Sequence, residues 1–400
     1  MPAIPSHPGV YIEEVSSGVS TITGIPTSIA LFVGWAARGP VDRARRLTSF
    51  ADFECAYGGL DARAILGYSV KHFFDNGGAD LYVLRLVHTD AEIAKVVVGD
   101  LTFEASSPGA WANDYRLRFT ERSDEPTRFK LEVLSHPTDD TAVVEVFENL
   151  SMRSGDPRFI ASVINGRSVA VTTQATGPTM PATGTVAHLD NTHAGVDGTV
   201  LEPADSGFHT ALLANFGKGS VIDRLDLFNL VCVPGLTHTA TITALQTHCK
   251  ERRAFLIVDS VEGETVANME TSGLVGLTGP DAHNAALYYP WVRAPDPLKQ
   301  GALRNFPPSG FVAGIYARID TTRGVWKAPA GSDASIRGAS ALAVGLSDSE
   351  NDQLNPRGIN CLRAFPGHNT VVMGGAHVAR KQRSRIGVAV RSGQANGVVS

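Results

Sequence analysis

Apolar residues fall along this chain in two kinds of pattern. The first is the short unbroken run: Ser28-Ile-Ala-Leu-Phe-Val-Gly34, Leu81-Tyr-Val-Leu-Arg-Leu-Val87, Leu227-Phe-Asn-Leu-Val-Cys-Val233, Ala254-Phe-Leu-Ile-Val258 and Ala285 to Tyr289. Runs of this length predict strands covered on both faces. Gly34, Pro234-Gly235 and Pro290 stop three of them. Helical spacing lies between the runs. Ser49 suits the N-cap of a short helix bearing Phe50 and Phe53. Ala64 to Phe74 offers Ile65, Leu66, Tyr68, Val70, Phe73 and Phe74 for burial, and Asn76-Gly-Gly78 ends it. Thr239 is placed to cap a helix whose Ile242, Leu245 and Cys249 share a face. Strand, helix and strand over 227–258 predict a parallel βαβ unit.

The second pattern is strict alternation. It occupies 96–205: Tyr115, Leu117 and Phe119, then Phe129, Leu131 and Val133, then Val144 and Val146, then Val169 and Val171. Pro, Gly, Thr and Asp fill the gaps, so this stretch predicts a β-rich module inserted into an α/β domain. The N-terminal end is different again. Pro2, Pro5 and Pro8 block a helix, and Val10, Ile12 and Val15 make a strand-like stretch with few partners nearby. Such a strand has unpaired backbone on both edges and must join a sheet, its own or a neighbour's. The fold class expected is α/β, in the α+β sense. An extended arm and linker (1–27) precede a core split into 28–95 and 206–370 by the module at 96–205, and an atypical tail follows (371–400).

Composition narrows the function classes. The chain has 400 residues, 43% hydrophobic and 19% charged, enough for a sizeable core. With 35 basic and 40 acidic residues the net charge is −5, which offers no general nucleic-acid footprint. No basic, apolar leader opens the chain, and no apolar run reaches the ~18 residues of a membrane span. The four cysteines, Cys55, Cys232, Cys249 and Cys361, form no close pair and suit buried free thiols in a reducing cytoplasm.

Candidate chemistry is sparse. Asp259 follows a strand, where ligands bind in open α/β sheets, although an acid capping the next turn fits as well. Phe216-Gly-Lys-Gly-Ser220 fails the phosphate-loop pattern, with Leu212 at the first Gly position and Gly219 after Lys218. Gly273-Leu-Val-Gly-Leu-Thr-Gly279 has the wrong spacing for a dinucleotide fingerprint. His238, His248 and Cys249 lack metal-ligand spacing. No nucleophile elbow is present. No catalytic residue, cofactor or metal is expected. The alternative is an α/β enzyme with a ligand near the strand ends at Val233 and Asp259.

A resemblance favours the structural reading. Pro8-Gly-Val-Tyr-Ile-Glu-Glu14, Thr27 to Gly34, Arg38-Gly-Pro40, Tyr57-Gly58 and Asn76 to Arg85 occur in that order. Pro108-Gly-Ala-Trp-Ala-Asn113, Asn229 to Gly235, Arg253 to Asp259, Ala286-Leu-Tyr-Tyr-Pro-Trp291, Pro307-Pro-Ser-Gly310, Gly324-Val-Trp-Lys-Ala-Pro-Ala330 and Asn355-Pro-Arg-Gly-Ile-Asn360 follow. Over about 8–370 the chain resembles the sheath proteins of contractile phage tails and injection systems.

The resemblance implies a sheath-type α/β core and a homo-oligomer polymerised helically around an inner tube protein. Baseplate and tail terminator proteins would be its other partners. Contraction would drive the tube through a target envelope without nucleotide hydrolysis. No nucleic acid and no direct membrane insertion are implied. The protein would be cytoplasmic in the producing bacterium and assembled into a particle. The module at 96–205 would decorate the outside. The arm residues Val10, Tyr11, Ile12, Glu13, Glu14 and Val15 would add a strand to a neighbouring subunit. Arg85 and Arg318-Ile-Asp320 would help subunit contacts.

The resemblance lapses after Asn360. Related chains continue with Trp-Gly-Ala-Arg-Thr-Leu and then Trp-[Arg/Lys]-Tyr-Val. Here 371–400 holds no acid, aromatic or proline, and carries Arg380, Lys381, Arg383, Arg385 and Arg391. Met373-Gly-Gly-Ala-His377 can be encoded ATG GGG GGC GCG CAC, and from its second base that string reads Trp-Gly-Ala-Arg. Val388 to Gly393 can likewise hide Trp-Arg-Tyr-Val. The expectation is a frame shift just before Met373, leaving exposed apolar surface and failed or weak sheath assembly. Sequencing the gene across these codons is expected to find strings compatible with both hidden motifs. Codons that exclude either motif would refute the shift.

Overall fold

The computed structural model describes residues 28–272, 277, 280–365 and 371–373. In chain order the first elements are β1 (Ala30–Trp35), β2 (Arg45–Leu47), α1 (Phe50–Tyr57), α2 (Ile65–Asp75) and β3 (Leu81–Leu86). Then come β4 (Lys95–Val98), β5 (Leu101–Ala105), β6 (Arg116–Glu121), β7 (Phe129–Leu134), β8 (Val143–Leu150), α3 (Ile160–Arg167), β9 (Val171–Ala175) and β10 (Val186–His188). The chain continues through α4 (Ser206–Ala214), β11 (Leu230–Cys232), α5 (Thr239–Arg252), β12 (Phe255–Asp259), α6 (Val266–Ser272), β13 (Ala285–Tyr289), β14 (Val292–Asp296) and β15 (Ala302–Phe306). Last are α7 (Ser309–Arg323), β16 (Ala341–Leu342), α8 (Asp348–Leu354), β17 (Ile359–Arg363) and β18 (Val371–Met373).

The unbroken apolar runs become the centre of an eight-stranded sheet of order β18-β17-β13-β12-β11-β1-β3-β2. Its six inner strands are parallel, and β2 and β18 close the two edges antiparallel. All residues of β1, β12 and β13 are buried, which explains why these runs do not alternate. Helices cover both faces. Phe32, Val83 and Ile257 look towards α1, α2 and α7, and Leu31, Val231 and Leu256 look towards α4, α5, α6 and α8.

The expected helix starts hold with small shifts. Ser49 caps α1 in a reciprocal box with Asp52. The cap of α5 is His238, one residue before the expected Thr239; its side chain accepts no backbone amide of the first turn and instead hydrogen-bonds the Thr241 hydroxyl at 2.8 Å. The run from Leu227 contracts to β11, and β11 and β12 pair in parallel around α5, as the βαβ reading requires. Residues 94–189 gather a third apolar cluster around two antiparallel sheets, β10-β6-β7-β8 and β4-β5-β9. The arm residues 10–15 and the tail from 374 lie outside the described residues.

The longest described helix, α7, has no sequence signature of amphipathicity because ten of its fifteen residues are buried. It lies against α2 through Gly310 and Gly314. A Cβ at Gly310 would sit 2.6 Å from the Ser69 carbonyl oxygen, and one at Gly314 would overlap the Phe73 carbonyl. His72 of α2 stacks on Phe311 of α7 at 3.9 Å between ring centres. Alanine at either glycine would gain about 1 kcal/mol of helix propensity. It would lose about 1–3 kcal/mol by overpacking, here against backbone that cannot swing away. Gly310→Ala and Gly314→Ala are each expected to lower the urea midpoint, and an unchanged or raised midpoint would disprove this close approach.

Candidate functional site

In the sheet, β1 has β3 on one side and β11 on the other, so the chain reverses its winding there. The carboxyl ends of strands at such a reversal diverge into a crevice. A cavity of about 320 Å³ lies there, walled by Trp35, Leu66, Phe208, Gly235 and Trp291, with Arg63 and Arg304 on its lining. The sequence placed a candidate ligand group, Asp259, at the end of the neighbouring strand.

Asp259 is only 2% exposed. Its Oδ1 accepts the Ser309 amide at 2.7 Å, and its Oδ2 accepts the Gly235 amide at 2.9 Å and the Ser309 hydroxyl at 2.7 Å. One carboxylate therefore joins the turn after β11, the end of β12 and the first residue of α7. Burial pushes its pKa up to about 6, and the Gly235 and Ser309 donors oppose that rise. Asp259 also borders a second cavity of about 220 Å³. With both oxygens already accepting within the chain, it acts as a fold anchor and the expected ligand near Val233 and Asp259 loses its charged contact.

The other sequence candidates do not converge. His238 stacks on His209 at 4.2 Å, His248 packs edge-on against Phe216, and Cys249 is fully buried. Among the described residues no group of three or more His, Cys, Asp or Glu side chains could hold a metal ion. In the loop at 216–220, the Gly219 amide donates to the Asp223 carboxylate, which is the wrong charge for a phosphate cradle. The 273–279 stretch lies almost entirely outside the described residues. Cys232, Cys249 and Cys361 are buried free thiols, whereas Cys55 is exposed.

Arg85 corrects the expectation that it meets another subunit. It is 1% exposed, and its guanidinium donates to the carbonyls of Ala36, Ala37, Gly39 and Pro108 at 2.5–3.0 Å. Burial lowers its pKa to about 10, so it stays charged at neutral pH. Arg38 supports the same seam, 4.6 Å over the Trp111 ring and 3.1 Å from the Tyr115 hydroxyl. Arg318 is likewise used internally, donating to the carbonyls of Asn76 and Ser335, and Asp320 accepts from the Ser28 hydroxyl. The sequence shows these charges but not the carbonyls that gather round them.

The last of these contacts locates the opposite end of the sheet. Ser28 stands two residues before β1, so the C-terminal end of α7 lies at the amino ends of the strands. Just beyond it Trp326 is 73% exposed. The sequence named Trp326 only within Gly324-Val-Trp-Lys-Ala-Pro-Ala330, one of the stretches that carry the resemblance, and gave no sign of the cavity.

Residues 226–375 match the family described as phage tail sheath protein central domain. Over that stretch the chain is similar to the central domain of tail sheath proteins. The matched stretch holds β11, β12, β13, β17 and β18 of the main sheet, together with Asp259, α7 and Trp326. No curated protein matches the chain by sequence. Solved sheath proteins share its fold. A sheath tail protein from Desulfitobacterium hafniense aligns over 97% of this chain and 83% of its own, at TM-score 0.57 and 18% identity. One from Listeria innocua aligns over 90% and 74%, at TM-score 0.61 and 13% identity. The contracted sheath complex of PVC, an extracellular contractile injection system, aligns over 100% and 78%, at TM-score 0.53 and 19% identity.

The Asp259 anchor lies within the matched stretch and can be tested by titration. Its pKa in the fold lies above the ordinary value of 3.8, so the folded protein binds the extra proton between about pH 4 and pH 6. The contribution of this group to stability is greatest below that window and falls as pH rises through it. Asp259→Asn removes the titration and sets an amide group against the Gly235 N–H, at a cost of about 1–3 kcal/mol. Urea melts are expected to show wild type losing stability relative to Asp259→Asn between pH 4 and pH 7. A pH-independent difference would rule out this titration.

Proposed function

We propose that this chain is the structural subunit of a contractile tail sheath, polymerised helically around an inner tube and contracting to drive that tube through a target envelope. The observation that carries the reading is the sheath central-domain match, which takes in most of the parallel sheet and α7. Baseplate and terminator proteins would bound the polymer at its ends. The protein acts without catalysis: the energy of contraction resides in the difference between two packings of the same subunits. It is made in the cytoplasm of a bacterium and carried in the particle. The chain divides as an arm over 1–27, a core over 28–95 and 206–370, and an outward-facing β module over 96–205.

A contracting polymer needs links that survive rotation of its subunits. Main-chain strand pairing provides them, because a ladder of N–H and C=O groups holds while the bodies it joins turn about it. The arm residues Val10, Tyr11, Ile12, Glu13, Glu14 and Val15 supply such a strand to a neighbour. Both edges of the main sheet end in strands of three residues, β2 and β18, which leave room for a further strand.

Purified full-length protein is expected to form tubes or rings by negative-stain microscopy, and a frame shift before Met373 would confine them to high concentration. A discrete oligomer at every concentration would overturn the sheath reading. Val10→Pro and Ile12→Pro each remove a ladder donor from the arm. They are expected to abolish tubes while leaving the melting temperature of the monomer unchanged. Normal tubes from both variants would refute the arm's role.

A further inference from the structure

We propose that Trp326 of one subunit seats in the 320 Å³ cavity at the carboxyl ends of the core strands of the next copy of this chain, as a head-to-tail contact. The proposal rests on the sheath reading above and names two surfaces that the reading leaves open.

The first observation is a held-out indole. Trp326 is 73% exposed, yet its loop is ordered from below: Pro329 is buried, Gly324 at φ +92° lies against the indole ring, and the Lys327 amide donates to the Gly324 carbonyl at 3.1 Å. Covering a tryptophan removes about 150–250 Å² from water, and tryptophan is prominent among the residues that dominate interfaces.

The second is a cavity that suits it. Trp35, Phe208 and Trp291 give it aromatic walls, and the buried Nε1 of Trp35 has no hydrogen-bond partner.

Charge points the same way. On the cavity side Arg63 is paired with Asp61 and Asp197, and Arg304 is 3.7 Å from Asp296. Glu202 and Glu262, on the same lining, enter no ion pair among the described residues. Beside Trp326, Arg323 and Lys327 share one acid, Asp333, at 3.4 and 3.7 Å. The knob side therefore keeps a net positive charge of one opposite the acids of the cavity lining.

Placement makes the contact directional. The cavity opens where β1, β11 and β12 end, and Asp259 fixes the start of α7 at that pole. Fifteen helical residues span about 22 Å and carry the chain to the amino pole, where Trp326 stands. A knob and a hole at opposite poles are met by a second copy displaced along the same direction. Such a heterologous contact repeats without closing. It is too small to hold two subunits alone, since stable interfaces bury upwards of about 1,000 Å², so it is read best within the polymer.

The test uses full-length protein and two variants at exposed positions, Trp326→Ala for the knob and Ala204→Trp to fill the cavity rim. Each is expected to raise the concentration needed for tubes on the order of tenfold, with unchanged monomer melting, and Trp326→Phe to restore most of the loss. Should Ala204→Trp lower the melting temperature, Glu262→Lys replaces it. The decisive arm is a mixture. An intact cavity on the Trp326→Ala chain meets an intact knob on the Ala204→Trp chain, so the equimolar mixture is expected to form tubes at a lower total concentration than either variant alone.

Tubes from Trp326→Ala at the wild-type concentration would overturn this contact and leave the sheath reading standing. A mixture that behaves like either variant alone would also overturn it, and would assign Trp326 to another occupant, such as the chain's own N-terminal residues or a tube protein. A wild-type chain that never polymerises would overturn both.

Discussion

One buried carboxylate fixes how the two poles of this molecule stand to each other. Asp259 accepts from the turn after β11 and from the first residue of α7, so the start of that helix cannot drift from the end of the strand. The cost of burying its charge is offset by three donors, and removing any of them leaves a charge without solvation. From that point α7 runs back under the sheet with Gly310 and Gly314 flush against α2, which sets its depth as well as its origin. Everything beyond Arg323, including the exposed Trp326, inherits its position from those two constraints.

The division of labour in the fold follows from burial. Six parallel strands with helices on both faces give a stiff slab, and only its outer strands offer backbone to another chain. The module of 94–189 has its own apolar cluster and meets the slab through polar contacts: Arg85 and Arg38, and Asp197 bridging Arg63 and the Ala110 amide. Assembly surfaces are thereby separated from the parts that keep each subunit folded.

Much of this was legible in the sequence, for identifiable reasons. Unbroken apolar runs read as parallel strands because both faces of the sheet are covered, and alternation read as the β module because each of its sheets buries one face. Ser49 read as a cap because its partner Asp52 is local. What escaped was non-local or patternless. The helix α7 is buried nearly all round and shows no polar stripe. The strand β14 alternates in burial, but its Pro295 and buried Asp296 disguise that period, while β15 is largely exposed and β16 is two residues long. Arg85 was misread as a contact residue because its carbonyl partners at 36, 37, 39 and 108 come together only in the fold. Asp259 was correctly seen at a strand end, but its partner Ser309 stands fifty residues away.

The seam at Arg85 has a consequence for endurance. An ordinary ion pair weakens as salt rises and fails when its acid takes up a proton. The Arg85 guanidinium has four carbonyl partners and no carboxylate among them. Carbonyl oxygens do not titrate, and a buried cation without a paired anion offers little for salt to screen. The Arg85 part of the joint is therefore less sensitive to acidity and ionic strength than the Arg63–Asp197 ion pair that crosses the same seam.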